Sequence, residues 1–597
     1  MTASDDLPPA LPALMRTLRL GYRAEPRLLT VSLAMVLFTA LPDGLFALWL
    51  KLAADGVQHH DRSKLVAAAM GLAVSATLTW FLRMVFARVQ RRFRDKVAIA
   101  LESHVARLQA TVSTVEHHER PEYLDRLSVL RDQVFALDHL FLSIFSTLGW
   151  IARLAITAAL LGSVHPALFL LVVFAAPTVW TATWRPGVER IVEERAAQEN
   201  RLARHLFVLG TTASPGKEVR VTGIGRRIAD ERRAVWERWY EPVAAVRWTS
   251  ALWHCLAWTI FGAAYMGAVV FVASGLNASA GSVLLVVAAG GRLSQYVAAA
   301  VGELGFLRGI WLDSSRRLGW LEDYAAALSE NNDQRVPDHL EGGIHFEHVS
   351  FTYPGTDRLV LDDVNLDLPA SKVVALVGEN GAGKTTLVKL LCRMYAPSSG
   401  RITIDGVDLA RMSPVEWRER LAGTFQDFFR FEFLAQASVG LGDEPRLDDR
   451  HAVETAIGRA GATDVVDRLA AGLDTQLGPS WEGGAEVSFG QWQKLALARG
   501  FMRDEPLVLV LDEPTSALDA ETEHALFERY AEVSRGGGEA NGRITILVSH
   551  RFSTVRMADL IVVLDGARVV EVGTHEDLMA RGGQYSELYS IQATAYR

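Results

Sequence analysis

Eight consecutive residues, Gly378-Glu379-Asn380-Gly381-Ala382-Gly383-Lys384-Thr385, have the types and spacing to hold phosphate. The glycines let the backbone turn so that several N–H groups converge on one anion. The apolar run 373–377 before them reads as a strand, and Thr386-Leu387-Val388-Lys389-Leu390-Leu391 after them reads as a helix. The positive end of that helix dipole falls on the same spot. Lys384 can then reach the β- and γ-phosphates, and the Thr385 hydroxyl can ligate Mg²⁺. Such a chain binds a nucleoside triphosphate.

A second chemical stretch is Leu507-Val508-Leu509-Val510-Leu511-Asp512-Glu513. A fully apolar run is the mark of a central parallel strand. Asp512 at its end is placed to hold Mg²⁺ through water, and Glu513 beside it to polarise an attacking water.

At 597 residues the chain is too long for one core, and half of it is apolar. The net charge of -8 gives no general affinity for nucleic acid. Cys255 and Cys392 are too far apart in sequence to suggest a disulfide framework or a Cys-rich metal site. Residues 1–26 lack a cleavable apolar core; Leu11, Leu14, Met15, Leu18 and Leu20 among arginines suit a helix on the membrane surface, or an exposed one.

Six apolar stretches follow, near 28–54, 65–86, 140–162, 167–184, 251–275 and 282–310. Most reach the ~20 residues needed to cross ~30 Å of hydrocarbon. The segments 88–138 and 185–247 are rich in arginine, whereas 163–166 and 276–281 carry no Lys or Arg. Positive charge stays inside, so both long segments and both chain ends are expected in the cytoplasm. Each long segment breaks at a proline, the first around Pro121-Glu122-Tyr123 and the second around Pro215-Gly216-Lys217. Those breaks would form tips on which a cytoplasmic ATPase could push. Within the spans, Asp43, Arg153, His254, Arg292 and Glu303 are costly in lipid and so are candidates for function. Asp43, Arg292 and Glu303 either line a substrate cavity or pair helix to helix; Arg292 and Glu303 lie about three turns apart on one helix face.

The resulting fold class is multidomain: an all-α six-helix transmembrane domain at 27–328, a linker at 329–342 and an α/β P-loop ATPase domain at 343–597. That last region resembles the nucleotide-binding domain of ATP-binding-cassette transporters, and the spans look like the membrane domain of their exporter class. The resemblance implies that Tyr353 stacks on adenine and that Gly378 to Thr385, with Thr386, bind ATP. It implies that Gln426 reports on Mg²⁺ and the attacking water, and that His550 contacts the γ-phosphate. Mg²⁺ would be held by Thr385, Gln426 and Asp512. Ser516-Ala517-Leu518-Asp519 looks like the loop that crosses between paired domains, and Trp481-Glu482-Gly483-Gly484 like the exporter loop that touches the tips. The family signature reads Val487-Ser488-Phe489-Gly490-Gln491, with Phe489 where a glycine is usual. If that position is left-handed, phenylalanine would strain it. In this family Ser488, Phe489, Gly490 and Gln491 face ATP held by a second chain, so the resemblance implies a homodimer or a pairing with a related half-transporter. The implied function is ATP-driven export of a hydrophobic or amphiphilic substrate (lipid, drug or peptide) by an integral membrane protein of the bacterial inner membrane. An ATP-gated or regulatory subunit that does not pump is the alternative, which Glu513 and His550 argue against.

Overall fold

The computed structural model describes residues 7–119, 121–212, 215–276, 278–307, 311–327, 332–513 and 542–595. The side chains of 117, 121–138, 186, 190, 194, 306, 553 and 592–595 lie outside that description. Residues group into one unit of Met1–Ala110 with Arg126–Tyr324 and another of Thr111–Asp125 with Ala325–Arg597.

In the first unit, among the described residues, six helices are long and apolar enough to cross a membrane. The amphipathic helix α1 (Ala10–Ala24) precedes them and buries Ala13, Thr17 and Gly21, one small residue per turn. A Cβ at Gly21 would lie 2.2 Å from the Phe141 ring, so the close approach requires glycine. Leu11 and Met15 stay exposed on the outer side, which favours a membrane-surface helix over a solvated one.

The first span is divided into α2 (Pro26–Gly44) and α3 (Phe46–Gln58). Pro26 suits the first turn, where no N–H is needed, whereas Pro42 withholds an interior donor and the helix breaks just after it. The second span belongs to α4 (Arg62–Thr111) and the third to α5 (Pro121–Val164). The fourth is interrupted: a 3₁₀ turn at Pro166–Phe169, α6 (Leu170–Phe174) and α7 (Ala176–Arg195). After α8 (Ala197–Thr211) and the short α9 (Gly216–Thr222) come α10 (Gly225–Val270), α11 (Ala280–Phe306) and α12 (Leu312–Ala327). With 50 and 46 residues, α4 and α10 run roughly 75 and 69 Å, over twice the hydrocarbon thickness. They therefore project beyond it, as the arginine-rich segments led one to expect. Outside the apolar zone the helices pair: Ala203 and Leu206 of α8 pack with Ile228 and Val235 of α10.

The second unit contains a four-stranded antiparallel sheet, ordered β2-β1-β4-β5, and a six-stranded one, ordered β10-β9-β3-β8-β7-β6. Its strands are β1 (Gly343–Thr352), β2 (Leu359–Pro369), β3 (Val373–Gly378), β4 (Ser399–Ile404), β5 (Val407–Asp408), β6 (Leu421–Thr424), β7 (Val508–Asp512), β8 (Ile544–Val548), β9 (Leu560–Asp565) and β10 (Arg568–Gly573). Strands β6, β7, β8, β3 and β9 run parallel to one another, and β10 runs antiparallel to β9. Every residue of β3, β7 and β8 is buried, which is why these runs are uninterruptedly apolar. Around Trp492 and Leu497 a second cluster gathers helices, including Ala435–Gly440, Arg450–Arg459 and Phe489–Gly500.

Candidate active site

Four adjacent parallel strands end at one edge, where ligands of open α/β sheets bind. Gln426 follows β6, Asp512 and Glu513 close β7, His550 follows β8, and the phosphate loop leaves β3. Residues far apart in sequence thus meet because their strands are neighbours; Gln426 and Glu513, for example, are 87 positions apart and hydrogen-bonded.

The loop is built as its sequence requires. Gly383 has φ 105°, and a Cβ there would sit 2.8 Å from the Val360 carbonyl oxygen. The next helix starts at Lys384, so its free N–H groups face the loop. The Lys384 ammonium donates to the carbonyl oxygens of Gly378 and Glu379, each at 2.9 Å. Burial pulls its pKa down, while the nearby Glu513 and Asp512 charges oppose that pull. Tyr353 is anchored by a 3.0 Å contact between its hydroxyl and that of Thr386, and its ring meets Phe351 and Tyr395 edge-on.

Asp512 is 1% exposed, and neither carboxylate oxygen has a hydrogen-bond partner. Burial holds its carboxyl near 6, against the favourable influence of the Thr385 hydroxyl beside it. A buried carboxylate with both oxygens open, next to a hydroxyl, fits a hard divalent cation such as Mg²⁺. Glu513 has φ 45°, in the left-handed region that non-glycine residues rarely adopt, and its N–H bonds to the Val548 carbonyl at 2.9 Å. One oxygen of Glu513 pairs with His550 Nε2 at 2.7 Å, and the other accepts from Gln426 Nε2 at 2.6 Å. The three residues form a single connected group.

The signature caps its helix. Ser488 Oγ accepts from the Gln491 N–H, and Gln491 Oε1 accepts from the Ser488 N–H at 2.7 Å. Phe489 is the first residue of that helix and is not among the positive-φ residues. The concern about left-handed strain is therefore removed. Its ring points outward, 5.4 Å from the Phe428 centroid and 5.5 Å from the Arg430 guanidinium carbon. The crossing loop expected at Ser516, Ala517, Leu518 and Asp519 lies outside the described residues.

The family described as ABC transporter matches residues 361–516. Residues 361–516 thus carry the ATPase domain of that family. An ATP-dependent lipid A-core flippase of Ralstonia nicotianae is 42% identical over 256 residues, covering 43% of this chain and 42% of that protein. The flippase of Alkalilimnicola ehrlichii is 35% identical over 338 residues, 55% of each. The matched part thus spans about half of these relatives' length or less. A solved bacterial Atm1-family ABC exporter with ATP bound superimposes with a TM-score of 0.72 at 23% identity, over 95% of this chain and 98% of that one. The fold of the chain is that of an exporter half, a membrane domain fused to an ABC domain.

The ABC unit also holds part of the first tip, which sequence reading had placed only loosely. Val115 N–H donates to the Met394 carbonyl at 3.2 Å, Arg418 donates to the Ser113 carbonyl, and the Tyr395 hydroxyl donates to Glu119. Tyr395 adjoins Tyr353, so tip and adenine-side aromatics share one cluster. Glu119 and Tyr395 carry no motif, and only proximity reveals them. The backbone of α5 begins at Pro121, but the side chains of Pro121, Glu122 and Tyr123 lie outside the described residues. Around the second tip, α8 ends at Thr211 and α9 starts at Gly216, with Pro215 and Lys217 on either side.

In the membrane unit, Arg292 and Glu303 do not serve one group despite their shared helix face. Arg292 donates to Asp43 Oδ1 at 2.7 Å, whereas Glu303 accepts from Ser143 Oγ at 2.6 Å. Asp43 also gathers Arg153 and Tyr296. Tyr296 was not foreseen, because an aromatic residue in an apolar span looks like packing.

Proposed function

We propose that the chain hydrolyses ATP and uses the energy to move a lipid-type amphiphile across a bacterial membrane, working as a pair of chains. The observation that carries this reading is the convergence of phosphate loop, Asp512, Glu513, Gln426 and His550 at one sheet edge in a chain with six candidate spans. The lipid class is supported by relatives named as lipid A-core flippases.

In this reading Lys384 and the loop N–H groups bind the β- and γ-phosphates. Thr385, Asp512 and Gln426 would hold Mg²⁺, which when bound spreads the phosphate charge. Glu513 accepts a proton from the attacking water, but both its oxygens are engaged by His550 and Gln426. The γ-phosphate draws the His550 and Gln426 donors to itself and so frees Glu513. Ser488 and Gly490 complete the site of a second chain, which makes two chains the working unit. Closure of the two ABC domains then moves the tips around Pro121 and Pro215, and with them the spans. The Arg-rich segments keep tips and ABC domain cytoplasmic.

The test is flux in proteoliposomes carrying a fluorescent phospholipid. Movement with ATP but not with a non-hydrolysable analogue supports a pump. Movement with both would mean an ATP-gated pathway, and movement with neither would remove the transport reading.

A further inference from the structure

At one corner of the membrane unit the positive charges are left without partners. The Lys96 ammonium of α4 donates to Glu25, the residue that joins α1 to α2, so three helices meet there. Arg19 and Arg23 of α1, Arg27 of α2 and Arg88, Arg91 and Arg92 of α4 lie within about three helical turns of that contact along the chain. All six are exposed, and among the described residues none of them pairs with a carboxylate. Lys96 cancels Glu25, and Arg94 stands 4.0 Å from Asp95, so the six charges stay uncompensated. Other arginines beside the spans are treated differently. Arg185 Nε donates to Glu189 at 2.7 Å, Arg247 Nη2 to Glu193 at 2.9 Å and Arg16 Nη1 to Asp323 at 2.6 Å. The imbalance is therefore local, and not a general property of the arginine-rich segments.

The corner also has the right depth. The apolar stretch of the second span ends near Phe86, and Arg88, Arg91 and Arg92 follow within about 9 Å of helix. Arg27 stands in the first turn of α2, where the first span begins. Both positions match the headgroup layer, roughly 5–8 Å thick on each side of the hydrocarbon. Along α4, Phe81, Met84, Arg88 and Arg92 are spaced by three or four residues, so they share one helix face, and all four are exposed. That face is apolar in its first half and cationic in its second. On α1 the exposed residues Met15, Arg19 and Arg23 repeat the order at a spacing of four. A soluble anion would use only the arginines of such a face, whereas a molecule with an anionic head and acyl chains uses both halves.

We infer that this corner is a docking site for an anionic phospholipid of the surrounding leaflet, with Arg23, Arg27, Arg88 and Arg92 on its phosphate and its acyl chains against Phe81 and Met84. Charge complementarity selects the occupant: a cluster of basic residues where a span leaves the hydrocarbon attracts anionic heads. The lipid is a resident partner of the exposed faces of α1 and α4, separate from any transported molecule. The inference rests on the spans lying in a membrane and not on the transport reading. It also gives the lipid a route inward. Arg316 Nε of α12 donates to the Pro8 carbonyl at 2.9 Å, and Arg16 of α1 pairs with Asp323 of α12. A lipid that holds α1 thereby steadies the helix that follows the last span.

The experiment uses the full chain in a mild detergent without nucleotide, and counts bound lipids by native mass spectrometry. Dioleoylphosphatidylglycerol is titrated against dioleoylphosphatidylcholine, which has the same chains and no net charge, and against glycerol 3-phosphate, which has the head and no chains. The wild type is expected to bind the first phosphatidylglycerol about tenfold or more tighter than phosphatidylcholine. Arg23→Gln, Arg27→Gln, Arg88→Gln and Arg92→Gln should each weaken phosphatidylglycerol about fivefold, the share of one basic residue near an anionic head, and leave phosphatidylcholine unchanged. Arg92→Lys keeps the charge and should keep most of the affinity. Arg233→Gln removes an equal charge from α10, where Arg233 pairs with Glu237, and should change neither lipid. The substituted side chains are all exposed, and Arg92→Lys carries the test should a glutamine variant fail to fold. Equal affinity for the two phospholipids, or equal losses in Arg233→Gln and Arg92→Gln, overturns the inference. Glycerol 3-phosphate binding as tightly as the lipid would overturn it in favour of a free-anion site. These binding results without ATP-driven flux in vesicles would count against the transport reading alone.

Discussion

Asp512 in the ABC unit is buried and Asp43 in the membrane unit half-buried, and the fold treats them in opposite ways. Asp512 has no hydrogen-bond partner on either oxygen, whereas Asp43 is held by two guanidiniums and a phenol. Leaving a buried carboxylate unpaired is costly, and the open oxygens of Asp512 fit a cation. In the membrane unit the carboxylate is saturated internally. An open carboxylate has room for a partner from outside, whereas a saturated one is already held by the fold.

The sharpest way to break this contrast is at the carboxylate beside Asp512. Glu513→Gln removes the proposed proton acceptor and should cut phosphate release by about 10²–10⁴-fold while ATP binding persists. A variant that turns over at the wild-type rate would take Glu513 out of its role.

Asp512 itself allows a test through stability. Its folded pKa, about 6, lies above the ordinary value of 3.8, so the folded chain binds that proton more tightly than the unfolded one. The associated stability is full below the unfolded value and is lost as pH rises through the folded one, about 3 kcal/mol in all. Asp512→Asn should therefore raise the unfolding temperature at pH 7–8 without metal, leave it little changed near pH 4, and abolish the Mg²⁺ dependence of nucleotide binding. Unchanged melting at both pH values would mean that the carboxylate is not desolvated.

In the membrane unit the comparable polar contact is fully used. Ser143 Oγ donates to Glu303 and accepts from the Trp311 N–H at 3.0 Å. Ser143→Ala leaves both partners unpaired and should cost about 1–3 kcal/mol in detergent-solubilised thermal unfolding. The smallest effect is expected at the signature. Phe489→Gly exchanges a helical residue with two ring contacts for one of poor helix propensity, which should cost about 1–2 kcal/mol and give no gain in hydrolysis. Faster turnover in that variant would show that the ring obstructs the site after all.

Much of the ABC site was legible in the chain because its chemistry is local. The phosphate loop needs glycines at fixed offsets, a strand before and a helix after, and each leaves a readable pattern. Phe489 was harder: the letter alone could not give its φ, and only the capped helix start showed that a side chain is tolerated there. Likewise the first span looked continuous in composition, although Pro42 breaks it near Leu45.

The sequence by itself determined that this chain holds nucleotide beside a parallel strand, that Asp512 and Glu513 end another such strand, and that six helices are apolar enough for a membrane. Tertiary structure alone decided that Gln426, Glu513 and His550 meet, that Glu119 joins the ABC unit, and that Asp43 sits between Arg153 and Arg292. The reason is range. Turns, caps and periodicity act over a few residues and are written in order along the chain, whereas a contact between distant charges exists only once strands and helices have chosen their neighbours.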